Sequence, residues 1–389
     1  MLTKRARRTD NISHIISWGE RMQNVNVKGA PSFYRCEPGI LSQLPDLVNN
    51  QMFQKAGLVH GEKSWEAVRS FLPEWPFDVS FEKYKGECSL EENERLCVRF
   101  SNVDVVIGVG GGKILDLAKA CGDRLNVPVI LIPTLASNCA AWTPLSVFYD
   151  QEGNFLNYEI FPTNTFMVLV EPDVLLHAPV EFLRAGIGDT IAKWYEADVL
   201  TRDLPEKSIP LEIALYAAKQ CRDVLLEEGD SAVESAKERT LSPAFTRAVE
   251  TIILAGGVVG GFGDHYGRVS GAHSIHNGLT KIDGTHKHLH GDKVAYGILV
   301  QLVLEDRFEE IENLLPYYKK LGLPYSLEAL YVKPTEANIR TIARESTKPE
   351  ESIHFMGVSN PEEVYKAIHA LEERAHGDKY LVPVMSFRK

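Results

Sequence analysis

The segment GAHSIHNGLTKIDGTHKHLHGDK, residues 271–293, carries five of the chain's 12 histidines: His273, His276, His286, His288 and His290. Imidazole is a common metal ligand and titrates near neutrality, so such a group can hold a cation, move a proton or simply face water. Spacing divides the five. His273 lies in a helical stretch of small residues, RVSGAHSIHNGL, with His276 one turn on, and His290 opens the next helical pattern. His286 and His288 fall in the loop between and are expected to be solvated. His276 can face the same cleft as His273 and relay a proton to a substrate oxygen; a packed, hydrogen-bonded histidine fits the same spacing.

A second stretch, VVIGVGGGKILDLAKA, puts Gly110, Gly111 and Gly112 between a strand and a helix start. Glycines allow close backbone approach, and a helix N-terminus offers free N–H groups, which together suit a phosphate. The pattern is neither GxGxxG nor a Walker sequence, so a tight turn packed on glycines stays open beside the phosphate reading. LIPTLASNCAAWTPLSVFYD follows another strand and carries Thr134, Ser137 and Thr143, able to line the far side of a nucleotide crevice. In GLVHGEKS, Gly61 stands where an NAD site commonly has a carboxylate for the ribose, and Lys63 follows two residues on. A missing carboxylate and a nearby ammonium favour NADP(H) over NAD(H); an ordinary surface lysine is the plainer account of Lys63.

The elements that would position these groups form two regions. Apolar runs in APSFYRCEPGIL, KAGLVHG, VDVVIGVGGG, VPVILIPTLAS and FMVLVEP alternate with helical patterns, which predicts a parallel sheet covered on both faces. We therefore expect an N-terminal arm over 1–28, an α/β dinucleotide-binding domain over 29–178 and an all-helical domain over 179–389. LSQLPDLVNNQMFQ reads as an amphipathic helix, and the acidic EEGDSAVESAKER as a solvated helix junction. The net charge of −11 argues against a nucleic-acid partner. Six scattered cysteines without a CxxC pair suggest reduced thiols and a cytoplasmic location. No apolar run reaches the length expected of a membrane span.

The motifs GVGGGKILDLAKA, IPTLASNCAAWTPLSV, GIGDTIAKWYEA and AHSIHNGLT…HGDKVAYGILVQLVLE resemble the iron-containing alcohol dehydrogenase superfamily, in its glycerol dehydrogenase-like branch. Within that branch NCAAWTPLSVFYD and GDTIAKWYEA look most like the bacterial hydroxycarboxylate dehydrogenase A group. The resemblance spans residues 29–389 and implies the dehydroquinate synthase-like fold, an NAD(P)-dependent dehydrogenase and a homo-oligomer. Carried over by position, it implies metal ligands at Asp189, His273 and His290. It implies cofactor-binding residues at the pyrophosphate turn, Gly110 to Lys113, and at Asp116 in the helix behind. Thr134, Ser137, Thr143, Leu145, Val147 and Tyr149 fall on the nicotinamide side.

Two imidazoles and one carboxylate leave an open position on a divalent cation, Zn2+ being favoured over Fe2+. Two departures from the glycerol-oxidising pattern bear on the substrate. Cys139 replaces an aspartate, and Lys193 stands four residues after Asp189, on the same helical face. Losing a carboxylate and adding an ammonium suits an anion, hence a small 2-oxo or 2-hydroxy carboxylic acid. A surface salt bridge from Lys193 to Asp189 or Glu196, and Cys139 as plain packing, are the blander accounts. The rivals are an NAD-dependent glycerol or polyol dehydrogenase, a dehydroquinate synthase-like lyase and a non-catalytic nucleotide-binding protein.

Overall fold

In the computed structural model, residues 25–376 are described. Most of the N-terminal arm, residues 1–24, therefore lies outside the described residues. Six parallel strands form one sheet in the order β1-β8-β5-β4-β2-β3. They are β1 (Phe33–Cys36), β2 (Lys55–His60), β3 (Asp78–Lys83), β4 (Val105–Gly110), β5 (Val129–Pro133) and β8 (Met167–Val170). β4, β5 and β8 are buried at every position, as their unbroken Val/Ile/Leu runs require of strands covered on both faces. β6 (Leu145–Tyr149) and β7 (Phe155–Ile160) form a separate antiparallel hairpin that the apolar runs did not predict.

All six parallel strands point the same way, so the segments after them gather at one edge. Gly61 follows β2, Gly110 ends β4, and Thr134 follows β5, with β2 and β5 flanking β4. The residues singled out for nucleotide binding therefore share the carboxyl end of the sheet, where ligands bind in such folds.

From Val180 onward the described chain is helical. The helices Val180–Thr201, Ile209–Glu238, Gly271–Leu279 and His290–Leu304 pack together, and one apolar core runs through both halves of the molecule. Three expectations need correction. LSQLPDLVNNQMFQ is broken into short helical turns around Leu44–Val48. The acidic run is no junction: it lies inside the 30-residue helix Ile209–Glu238, where Ala232, Val233 and Ala236 face the core, Glu227, Glu234 and Glu238 are exposed, and Glu228 and Asp230 pair with Arg247 and Lys320. The helical stretch Pro243–Gly267, 25 residues with a mean hydropathy of 1.3, is long and apolar enough to span a membrane. It packs Phe245, Ala248, Val249, Ile252, Ile253 and Val259 inside the protein instead.

A short strap joins the two halves. Lys28 and Gly29 donate backbone N–H bonds to Gly261 O in the helical half, and Trp142 Nε1 reaches Gly29 O from the other, at 3.2 Å. The helices carrying the histidines are drawn together by small residues. A Cβ on Gly291 would lie 1.8 Å from Ala185 O, so only glycine lets His290–Leu304 approach Val180–Thr201 this closely.

Candidate active site and metal centre

Asp189 lies mid-way along Val180–Thr201, His273 in the first turn of Gly271–Leu279, and His290 is the first residue of His290–Leu304. Their ligand atoms lie within 4.8 Å of one another. His290 Nε2 is 3.2 Å and His273 Nε2 3.4 Å from the same Asp189 oxygen, Oδ1. That oxygen is buried and lacks a hydrogen bond of good geometry. A buried carboxylate oxygen facing two imidazole nitrogens with no satisfactory hydrogen bond is a donor set suited to a cation. Electrostatics agree. Burial works against ionising Asp189, yet the two imidazoles and Lys193 hold its carboxyl well below the ordinary range.

The surroundings of His273 were not anticipated. Its Nδ1 lies 2.7 Å from Glu196 Oε2, while Glu196 Oε1 accepts the backbone N–H groups of Ser270 (2.7 Å) and His273 (3.0 Å). Burial opposes protonation of His273, but Glu196 and Asp189 raise its pKa to about 9. The sequence did hold a signal, since Glu196 follows Asp189 by two helical turns on the same face.

Lys193 is not a surface residue. It is 9% exposed, and its Nζ donates to Arg268 O at 3.1 Å rather than to a carboxylate. Burial disfavours its charge, but Cys139, Asp189 and Glu196 outweigh this and raise its pKa. Cys139 is half-buried beside it, its thiol pushed up by burial. His276 places its ring 4.2 Å from that of His290, so it does reach the cleft. Burial, then the neighbouring His290, Lys293 and His273, hold it well below the usual histidine pKa. His286 is exposed, as expected. His288 is not solvated: its side chain is 12% exposed and its ring lies 4.8 Å from that of Tyr331.

At the nucleotide end, a Cβ on Gly111 would come within 2.9 Å of Leu135, and one on Gly112 within 3.0 Å of Asn138. The loop after β5 thus lies against the glycine turn, and packing accounts for part of the motif. Ile114 and Leu115 donate to Gly111 O, which leaves the N–H groups of Gly112 and Lys113, at the start of the Gly112–Leu125 helix, for an anion. Lys113 is engaged by Glu87 and lies over the Tyr149 ring at 4.9 Å. Lys63 is exposed, and its neighbour Glu62 pairs with Lys83 at 2.6 Å.

Leu145, Val147 and Tyr149 are half-buried on one face of β6, while Ser146 and Phe148 are buried on the other. Thr134 is buried with its N–H on Gly110 O, and Ser137 and Thr143 are half-buried in the same loop. Asp116 is turned into the fold instead of the cleft. Its carboxylate accepts from Val147 N at 3.0 Å and pairs with Lys119 at 2.9 Å. Lys119, unnoticed in the sequence, donates to Ala140 O, Thr143 O and Leu145 O. Together the pair anchors the loop and strand that face the cleft.

Residues 31–172 match the family model described as iron-containing alcohol dehydrogenase. Hydroxycarboxylate dehydrogenase A of Escherichia coli (strain K12) is 40% identical over 340 residues, covering 86% of this chain and 94% of that protein. Glycerol dehydrogenase of Thermotoga maritima is 38% identical over 282 residues, 71% of this chain and 76% of its own length. Among solved structures, glycerol dehydrogenase from Schizosaccharomyces pombe superposes with a TM-score of 0.80 at 32% identity, covering 92% of this chain and 94% of that one.

Proposed function

The chain belongs to the iron-containing alcohol dehydrogenase family, in its glycerol dehydrogenase-like branch, and from that premise we propose that it moves a hydride reversibly between NADP(H) and a small 2-oxo or 2-hydroxy carboxylic acid. Membership makes it an oxidoreductase of alcohol and carbonyl groups; the acid, the cofactor and the metal are our reading. Asp189, His273 and His290 would hold one divalent cation, Zn2+ before Fe2+, which supplies Lewis acidity at the substrate oxygen when bound. The glycine turn and the Leu145, Val147 and Tyr149 face of β6 hold the dinucleotide and keep water from one side of the cleft. His276, neutral at neutral pH, is placed to pass a proton between the substrate oxygen and solvent. Gly61 and Lys63 leave room and charge for the 2′-phosphate of NADP(H).

One observation carries the choice of an acid. Lys193 is a buried cation beside Asp189 and Cys139, and among the described residues its Nζ donates to a backbone carbonyl, Arg268 O. An ammonium has three N–H donors, so a substrate carboxylate can use those left over. The six free cysteines accord with a reducing, cytoplasmic setting, and we expect a homo-oligomer.

The test compares 2-oxobutanoate and 2-oxoglutarate with neutral carbonyls, using NADPH and NADH. Lys193→Ala should lower kcat/KM for acids by about 10–100-fold, the worth of a charge-assisted hydrogen bond at about 1.5–3 kcal/mol. Equal losses on acids and neutral carbonyls remove Lys193 from substrate recognition. The similarity to glycerol dehydrogenases supports a second reading, an NAD-dependent polyol dehydrogenase, which predicts turnover of glycerol with NAD and little response of acids to Lys193.

A further inference from the structure

We propose that Glu196 is a positioning residue that fixes the tautomer and ring orientation of His273, and so turns the His273 Nε2 lone pair onto the cation site. The inference rests on reading Asp189, His273 and His290 as metal ligands. Glu196 is 2% exposed and its two oxygens have separate tasks. Oε1 accepts two backbone N–H groups, from Ser270 and His273. These belong to the N-cap and first turn of Gly271–Leu279, where the N-cap Ser270 side chain itself makes no capping bond. A carboxylate from the Asp189 helix therefore caps the His273 helix and ties two ligand-bearing elements together. Oε2 faces His273 Nδ1 at 2.7 Å.

An ionised carboxylate can only accept, so the hydrogen between these atoms sits on Nδ1. In a neutral imidazole that leaves Nε2 as the lone-pair atom, and Nε2 is the nitrogen aimed at Asp189 Oδ1, 3.4 Å away. Helix geometry makes the arrangement possible: Asp189 and Glu196 are seven residues apart, hence on one face, and His273 fits between their carboxylates. The imidazole is thus oriented from its far side, as the outer partners of metal-bound histidines do generally.

Glu196→Gln separates capping from positioning. The amide oxygen can keep both backbone bonds, but the amide NH2 then faces Nδ1. That favours the opposite tautomer, with the ring hydrogen on Nε2 and no lone pair toward the cation. Zn2+ affinity, measured by competition with a chromophoric chelator, should fall about 10–100-fold. In a His273→Ala background the same substitution should cost no further affinity, because the two residues act as one unit. Unchanged affinity in the single variant, or a full loss in the His273→Ala background, overturns the proposal. Should Glu196→Gln fail to fold, 15N shifts of His273 in the metal-free wild-type protein at alkaline pH decide: hydrogen on Nδ1 is expected, and hydrogen on Nε2 overturns it. Wild-type protein that binds no Zn2+ would remove the metal reading, and the tautomer measurement would still test what Glu196 does.

Discussion

Replacing Gly291 with alanine should damage the proposed metal centre without touching any of its three proposed ligands. The new Cβ would lie 1.8 Å from Ala185 O and 2.5 Å from Ala185 C, both rigid backbone atoms of the Asp189 helix. Real Cβ atoms do not approach closer than 3.0 Å, so the two helices must separate by about 1.2 Å. His290 is the neighbouring residue and moves with the backbone, widening its 3.2 Å approach to Asp189 by a comparable amount. Metal sites tolerate about 0.2 Å of ligand displacement, so the third ligand is effectively lost. We expect an overpacking cost of about 1–3 kcal/mol in the metal-free protein. Zn2+ affinity should fall about 100-fold or more, since disturbing even an outer partner of a ligand costs 10–100-fold.

Chelator competition measures the affinity, and thermal unfolding with and without Zn2+ measures the linkage. Wild-type protein should gain about 2.7 kcal/mol at a Zn2+ concentration of 100 Kd, and the variant should gain far less at that concentration. Gly260→Ala is the control, because its Cβ would meet nothing nearer than 3.9 Å. If Gly291→Ala binds Zn2+ as tightly as wild type, close helix approach is not what assembles the site.

Two further substitutions test the scaffold. Asp116→Ala leaves the Lys119 ammonium, 3% exposed, without its counter-charge and should cost about 3–5 kcal/mol in unfolding experiments. Adding Lys119→Met should recover much of that loss but still loosen the cleft loop, read as a raised KM for the dinucleotide. Glu82 is buried enough to disfavour its charge, yet Arg95 and Arg99 hold its pKa below the ordinary value. A depressed carboxylate contributes stability above its unfolded pKa of about 4.3 and loses it as pH falls through the folded value. Glu82→Gln should therefore cost about 1 kcal/mol at neutral pH, and the gap to wild type should close in acid denaturation profiles.

What could be read from the chain followed burial. β4, β5 and β8 announce themselves because both faces are covered, which demands an unbroken apolar run. β7 is exposed at all six positions, so nothing in FLNYEI forces a strand; its partner β6 supplies the pairing. The acidic run misled because Gly229, Asp230 and Ser231 resemble helix punctuation, although Gly229 is buried against Tyr317 and the helix continues. At the site, the triad rested on motif resemblance, while its supports did not show. Glu196 sits 77 residues from His273, and a carboxylate on a helix can face several neighbours. His288 looked like loop polarity until Tyr331, far along the chain, covered it.

Charge links the metal reading to the substrate. Asp189 and Glu196 bring two negative charges to the pocket, and Lys193 returns one positive charge. Cys139 adds none, because burial holds its thiol protonated. With ligating imidazoles neutral, a divalent cation leaves the assembly with one net positive charge. That charge sits in a partly desolvated cleft, where it counts for more than in water. An aspartate in place of Cys139 would cancel it, and the pocket would then suit a neutral diol. On the proposed reading, Lys193 and Cys139 would act on specificity as one change: each would move the pocket one unit toward cationic, and only together with a bound metal would they favour a carboxylate.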